Sequence, residues 1–148
     1  PRYSFVFVGP VSVSVDRLRK YDNIHFLGRK PYEELPRYLA GIDVCINPYV
    51  LDDIASGCSP LKLYEYIAAG KPVVSVRMPE AEKFEGLVEI ADSYEQFATK
   101  IRMLVSKDEK WKRNLADRSW KESQNHTWDK RFEQTVKVLE ECFDEDRN

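Results

Sequence analysis

Ser59-Pro60-Leu61-Lys62-Leu63-Tyr64-Glu65-Tyr66-Ile67-Ala68-Ala69-Gly70-Lys71-Pro72-Val73-Val74 is the stretch around which the rest of the chain is organised. Serine is a good N-cap and proline is best tolerated at the first helical position, so a helix is expected to open with Ser59 as cap and Pro60 as first residue. Gly70 is placed to close it, and Pro72 bars its continuation. The β-branched residues 73–76 follow as a buried strand, so the stretch reads as a helix of about ten residues feeding a strand. A helix start carries unpaired N–H groups and the positive end of the dipole, which suits a phosphate. Glu65 lies roughly 9 Å further along the axis at 1.5 Å per residue. Helical side chains lean toward the N-terminus, so its carboxylate can hold a sugar hydroxyl while the helix start holds a phosphate. On these residues alone, Glu65 on a solvated helix face is an equally good reading.

Outward from that stretch, strands are expected over residues 3–8, 24–27, 43–49 and 87–91, from short apolar runs ended by Gly, Pro or polar residues. Helices are expected over 14–21, 32–40, 94–106, 110–122 and 127–143. In the second of these, Leu35, Tyr38 and Leu39 face inward, and Pro36 predicts an irregular first turn or a later start. Phe97, Ile101, Leu104 and Val105 form the inner face of 94–106, with Asp92 or Ser93 as cap. Residues 78–86 are a charged connection with room for one helical turn. Residues 50–58 are a polar loop with Asp52, Asp53, Ser56 and Gly57, and the charged tail 144–148 is expected to fray. Strands and helices alternate over short connections. This pattern predicts an α/β fold: a Rossmann-like open parallel sheet with helices on both faces. Ligands of such sheets bind at the carboxyl ends of the strands. That rim here carries Gly9-Pro10, Gly28-Arg29-Lys30-Pro31, Asn47-Pro48-Tyr49 and the loop into Ser59.

The chain has 148 residues and a formal net charge of −2. That suits one domain and disfavours non-specific binding to nucleic acid. No apolar run approaches a membrane span. Cys45, Cys58 and Cys142 are odd in number and fit no zinc spacing; Cys45 is expected in the core, and a reducing, cytoplasmic setting is the default. His25 and His126 stand far apart, which disfavours a histidine-centred triad or metal site. Neither a Gly-x-Gly-x-x-Gly after the first strand nor a Walker lysine is present. Trp111, Trp120 and Trp128 read as packing residues. The opening at Pro1, without an initiator Met and directly into a strand, predicts a fragment of a longer protein.

The residues of the opening stretch resemble the donor-site signature of retaining glycosyltransferases of the GT-B fold, in the large group 1 (family 4) set. Asn23-Ile24-His25-Phe26-Leu27-Gly28-Arg29-Lys30-Pro31-Tyr32-Glu33-Glu34-Leu35-Pro36 is similar to that family's nucleotide-base loop. Asp43-Val44-Cys45-Ile46-Asn47-Pro48-Tyr49 is similar to its next strand. Ser119-Trp120 and Thr127-Trp128-Asp129-Lys130-Arg131 resemble its Trp-containing C-terminal helices. The teichuronic-acid and exopolysaccharide-type branch is the nearest in flavour.

The resemblance implies that the chain is the C-terminal, donor-binding half of such an enzyme over residues 1–148, lacking its first strand and the N-terminal acceptor domain, with residues 109–148 as C-terminal helices. It implies that Glu65 binds the ribose hydroxyls, since a carboxylate can accept two hydrogen bonds from a vicinal diol. Leu61 and Lys62 would turn backbone N–H groups to the diphosphate, Arg29, Lys30, Pro31 and Tyr32 would frame the base, and Gly9 would form the tight turn at the first strand. A second family glutamate that contacts the sugar is replaced by Gly57, which leaves Asp52, Asp53 or Ser59 for that task. Pro60 lacks an N–H, and no residue here matches the family's diphosphate-binding Arg/Lys pair, so the catalytic residues stay unassigned. The nucleoside-diphosphate sugar is then a substrate, with no cofactor and no metal. The partners are that donor and the enzyme's own N-terminal domain, with no nucleic acid. The setting is cytoplasmic, with peripheral association at the inner membrane face left open for the whole enzyme. A nucleotide-sugar epimerase on the same scaffold, and a non-catalytic nucleotide-binding or interaction domain, remain the alternatives.

Overall fold

A computed structural model describes residues 3–53 and 57–145; Ser56 of the polar loop and the last three residues of the tail lie outside the described residues. The chain divides into two compact units, residues 1–40 and 41–148. The strands of both units pair in parallel, with helices around them, so the fold is α/β and Rossmann-like.

In the first unit, β1 (Phe5–Phe7) pairs in parallel with β2 (Ile24–Phe26). The register sets Phe7 beside Phe26, and their rings stack with centroids 5.0 Å apart. The expected helix over 14–21 is absent. A turn replaces it, in which the Val15 carbonyl accepts N–H bonds from Leu18 at 2.8 Å and Arg19 at 3.0 Å. The Ser14 hydroxyl, which could have capped a helix, instead donates to the Asp16 carboxylate at 2.8 Å. Such local side-chain bonds compete with helix formation, and so short a helix has little cooperativity to resist them. The next segment opens as a 3-10 turn (Tyr32–Glu34) and becomes α1 (Leu35–Ala40) only afterwards, the irregular start that Pro36 predicts. Leu35, Tyr38 and Leu39 are its half-buried residues.

The second unit runs β3 (Cys45–Asn47), α2 (Leu61–Ala68), β4 (Val73–Val76), α3 (Pro79–Glu82), β5 (Val88–Ala91), α4 (Tyr94–Val105), α5 (Glu109–Ser123), a 3-10 turn (Gln124–His126) and α6 (Trp128–Glu145). Its sheet has the order β3-β4-β5, all parallel, with Cys45 beside Val73 and Val73 beside Val88. The core is made by Leu63 and Ile67 of α2, Val73 and Val74 of β4, and Met78, Phe84, Leu104 and Leu115. Cys45 is buried there as expected, and burial pushes its thiol up to about 12. Ser93 caps α4 by accepting the Gln96 N–H, and Asp108 caps α5 by accepting the Trp111 N–H at 2.7 Å. These caps satisfy N–H groups that a helix start leaves over.

Of the tryptophans, Trp111 packs against the cluster of Val74, Ala91 and Leu104. Trp120 and Trp128 are exposed, which corrects their reading as packing residues. Both sit on helical faces turned from the core: α5 buries Leu115 and Ser119 instead, and the described side chains of α6 are exposed or half-exposed. The α6 stripe accordingly leaves Phe132, Leu139 and Phe143 exposed and only Val136 half-buried.

Candidate functional site

The end of α2 is held firmly. Gly70 takes φ +66; its N–H bonds the Ile67 carbonyl at 2.9 Å, and the Lys71 N–H bonds the Tyr66 carbonyl at 3.0 Å. This is a Schellman closure, in which the left-handed residue is most readily glycine. A Cβ on Gly70 would stand 2.8 Å from the Ala116 Cβ, so the missing side chain also lets α2 and α5 meet closely.

The start of α2 differs from the sequence expectation. The helix begins at Leu61, Pro60 is its cap residue in extended conformation, and no side chain caps it. Ser59 does not act as cap because its hydroxyl is engaged elsewhere. It donates to Glu80 Oε1 at 3.2 Å and accepts from Arg131 Nη2 at 3.2 Å. The N–H groups of Leu61 and Lys62 therefore have no hydrogen-bond partner among the described residues. They form an electropositive helix start of the kind that binds anions.

Glu80 is the hub behind this end. Its carboxylate accepts from Ser59, from the Tyr64 hydroxyl and from Lys83 Nζ at 2.7 Å, and Arg131 Nη2 lies 3.8 Å away. The Arg131 guanidinium also stands 4.7 Å over the Tyr64 ring, which packs edge-on against Phe84. Sequence reading missed both Glu80 and Arg131, since their pairing spans three helices. Asn47, which the sequence puts on the rim, is fully buried at the end of β3 and donates to Ser75 Oγ at 2.9 Å, and its Oδ1 has no hydrogen-bond partner among the described residues.

Glu65 is half-buried on α2; its carbonyl accepts the Ala69 N–H at 2.9 Å, while no hydrogen bond or ion pair joins its carboxylate to another described residue. It lines a shallow hollow of about 240 Å³ with Tyr64, Ala68, Phe84, Trp120 and His126. The Lys62 ammonium lies 4.5 Å from the Tyr49 ring centroid, and burial lowers its pKa. Its charge is thus already engaged by a cation–π contact. Burial, with a smaller effect from Cys58, raises Tyr49.

Leu61, Lys62 and Glu65 lie on the first turns of one helix, and Ser59 lies just before it. Gly9, Arg29, Lys30 and Pro31 belong to the other unit, just beyond the carboxyl ends of β1 and β2. The Gly9 N–H donates to the Gly28 carbonyl at 2.9 Å, and Lys30 Nζ stands 5.7 Å from the Tyr38 ring centroid. Arg29 is exposed, and Pro31 accepts the Glu34 N–H at 3.1 Å. Asp52 and Asp53 are exposed. Among the described residues, no group of three or more His, Cys, Asp or Glu side chains is placed to hold a metal ion, and no helix is long and apolar enough to cross a membrane.

Residues 1–107 match the family described as glycosyl transferases group 1. Over 89 residues the chain is 36% identical to TuaH of Bacillus subtilis (strain 168), a protein named as a candidate teichuronic acid biosynthesis glycosyltransferase. That similarity covers 57% of this chain and 22% of the relative, so the chain spans about a fifth of the relative's length. The family match takes in both units through α4 and includes the whole of α2, and the chain therefore belongs to the group 1 glycosyltransferases.

Proposed function

We propose that the chain is the donor-binding half of a GT-B glycosyltransferase, which moves a sugar from a nucleoside diphosphate to an acceptor held mainly by a separate N-terminal domain, with retention of anomeric configuration. The observation that carries this reading is the state of α2. Its helix start offers two unpartnered N–H groups, and Glu65 stands further along the same helix with its carboxylate uncommitted. A diphosphate at the first and a ribose diol at the second would use both. As the glycosidic bond to the donor breaks, negative charge grows on the diphosphate. A fixed dipole aimed there stabilises that charge without reorganisation. Lys62, its ammonium seated on Tyr49, would contribute through its backbone N–H more than through its side chain. Arg29, Lys30 and Pro31 would frame the base, and Gly9 would let the nucleotide approach. With Gly57 at the family's second glutamate position, sugar recognition falls to Asp52, Asp53 or Ser59. The product fits a cell-surface polysaccharide of the kind that the relative's name indicates, made in the cytoplasm or at the inner face of the membrane.

Titration of the chain with UDP and GDP, followed by the amide resonances of residues 59–65, tests the reading. Shifts at Leu61 and Lys62 with one of the two nucleotides are expected. Glu65→Ala should weaken that nucleotide by about 1.5–3 kcal/mol, the worth of a charged hydrogen bond. An unchanged affinity would remove the ribose role, and no shift at millimolar nucleotide would remove the donor site.

A further inference from the structure

We propose that Glu80 and Arg131 are positioning residues that hold the start of α2 in place for the diphosphate, and so couple donor binding to the C-terminal helix α6. The proposal rests on the donor-site reading of α2 and adds residues to it from outside that helix.

Four observations support it. First, α2 has no side-chain cap and its first turn follows a proline, so its own entry contacts are the Leu63 N–H on the Pro60 carbonyl and the burial of Leu63, and none of them orients the Leu61 and Lys62 N–H groups from the solvent side. Second, the entry is tied from outside. Glu80 takes the Ser59 hydroxyl, one residue before the cap position, and the Tyr64 hydroxyl, one turn into the helix. One carboxylate thereby grips α2 on both sides of Leu61 and Lys62, whose N–H groups are unpartnered. Third, the Glu80 side chain is only 10% exposed, so its charge requires partners. Lys83, just after the same helix, supplies one at 2.7 Å. Fourth, Arg131 reaches Ser59 from α6, 72 residues away, and lies over Tyr64 and beside Glu80. Its planar fork can meet the hydroxyl, the carboxylate and the ring face at once, which an ammonium cannot.

The arrangement does not read as a stability device. The Arg131 side chain is 41% exposed and stands 3.8 Å from a Glu80 carboxylate that Lys83 already bonds at 2.7 Å, so the charge of Glu80 is met without Arg131. Placement is where such a contact counts, because a misplacement of about 1 Å at a reacting group can cost on the order of a hundredfold in rate. Glu80 and Arg131 differ in sign, and this separates positioning from direct attraction. Removing the Glu80 charge would strengthen an anion's binding if only the local field mattered. It would weaken that binding if Glu80 acts by holding Ser59 and Tyr64.

The test uses the full chain with UDP against uridine and GDP against guanosine, following the Leu61 and Lys62 amides, with thermal melts of each variant. Glu80→Met, of similar length but with no acceptor oxygen, and Arg131→Met should each weaken the diphosphate about tenfold while the matching nucleoside changes by less than about twofold. Arg131→Lys should recover only part of the loss. If Glu80→Met fails to fold, the exposed Arg131→Met variant carries the same comparison. Tighter or unchanged diphosphate binding in Glu80→Met overturns the proposal. So does an equal loss of nucleoside and diphosphate, or unchanged binding in Arg131→Met. Absence of any shift at Leu61 and Lys62 in the unaltered chain overturns the donor reading itself, and the proposal with it.

Discussion

In residues 3–40, two parallel strands pair through Phe5–Ile24 and Phe7–Phe26, yet no described side chain there is fully buried. In residues 41–145, three parallel strands of similar length bury Val73 and Val74 completely, along with Leu63 and Ile67 of the helix between two of them. Both sets of strands are apolar runs by sequence. What differs is the connection. The β3–β4 connection contains α2, whose two apolar residues sit four apart and lock onto the sheet. The β1–β2 connection contains only the turn at Val15, so no helix of that connection covers its strands. A two-stranded sheet is marginal by itself, and three strands with a packed helix are not. Apolar content marks a strand, and the neighbouring helix decides whether that strand becomes core.

Truncation of apolar residues puts this contrast to the test most severely. Leu63→Ala removes a side chain with 0% exposure, and should cost about 2–5 kcal/mol in urea unfolding of the chain. Val6→Ala, at a strand position 36% exposed, should cost under about 1 kcal/mol. Equal costs would show that the two units share one level of packing.

Glycine replacement sharpens the same contrast with backbone conformation held constant. Gly28 has φ +69 and Gly70 has φ +66, so alanine at either meets similar left-handed strain, about 1–2 kcal/mol. At Gly28 no atom lies within 4 Å of the new Cβ; at Gly70 the Ala116 Cβ lies at 2.8 Å. Gly70→Ala should therefore cost about 1–3 kcal/mol more than Gly28→Ala, the usual penalty of overpacking. Thermal melts of the two variants read the difference directly.

Alkali provides a gentler probe. Burial raises Cys45 from 9.0 to about 12, so folding favours the neutral thiol. Its contribution is complete below the unfolded value and is lost as pH rises from about 9 toward 12, by at most about 1.4 kcal/mol per pH unit. Tyr66, raised by burial from 10.0 to about 12, adds a second loss in the upper part of that window. Cys45→Ala should remove the onset near pH 9 in stability measured against pH. The first unit contains no cysteine and should show no such onset.

What could be read in the sequence follows the range of the interactions. The Gly70 closure, the Ser93 cap, the strand at Cys45 and the irregular turn before Pro36 all depend on residues within a few positions of one another, and all appear as expected. The helix at 14–21 does not, because Ser14 and Asp16 bond each other. Ser59 has the right residue type for a cap, yet its hydroxyl is taken by Glu80 and Arg131, 21 and 72 residues away. No local pattern could announce that. Among the candidate site residues, helix position puts Leu61 and Lys62 at the helix start and Glu65 further along it, and their proposed roles come from the family resemblance. The engagement of Lys62 with Tyr49 and the Glu80–Arg131 pair require the folded chain.

The contact between Gly70 and Ala116 bears on movement as well as on packing. It presses one end of α2 against α5 with no side chain between, so that end has no room to slide. The other end, about 12 Å away at 1.5 Å per residue, is seated as well: Leu63, in the first turn, is fully buried, and its N–H bonds the Pro60 carbonyl at 3.0 Å. Seated at both ends, α2 is a rigid strut that presents the Leu61 and Lys62 N–H groups from a fixed position.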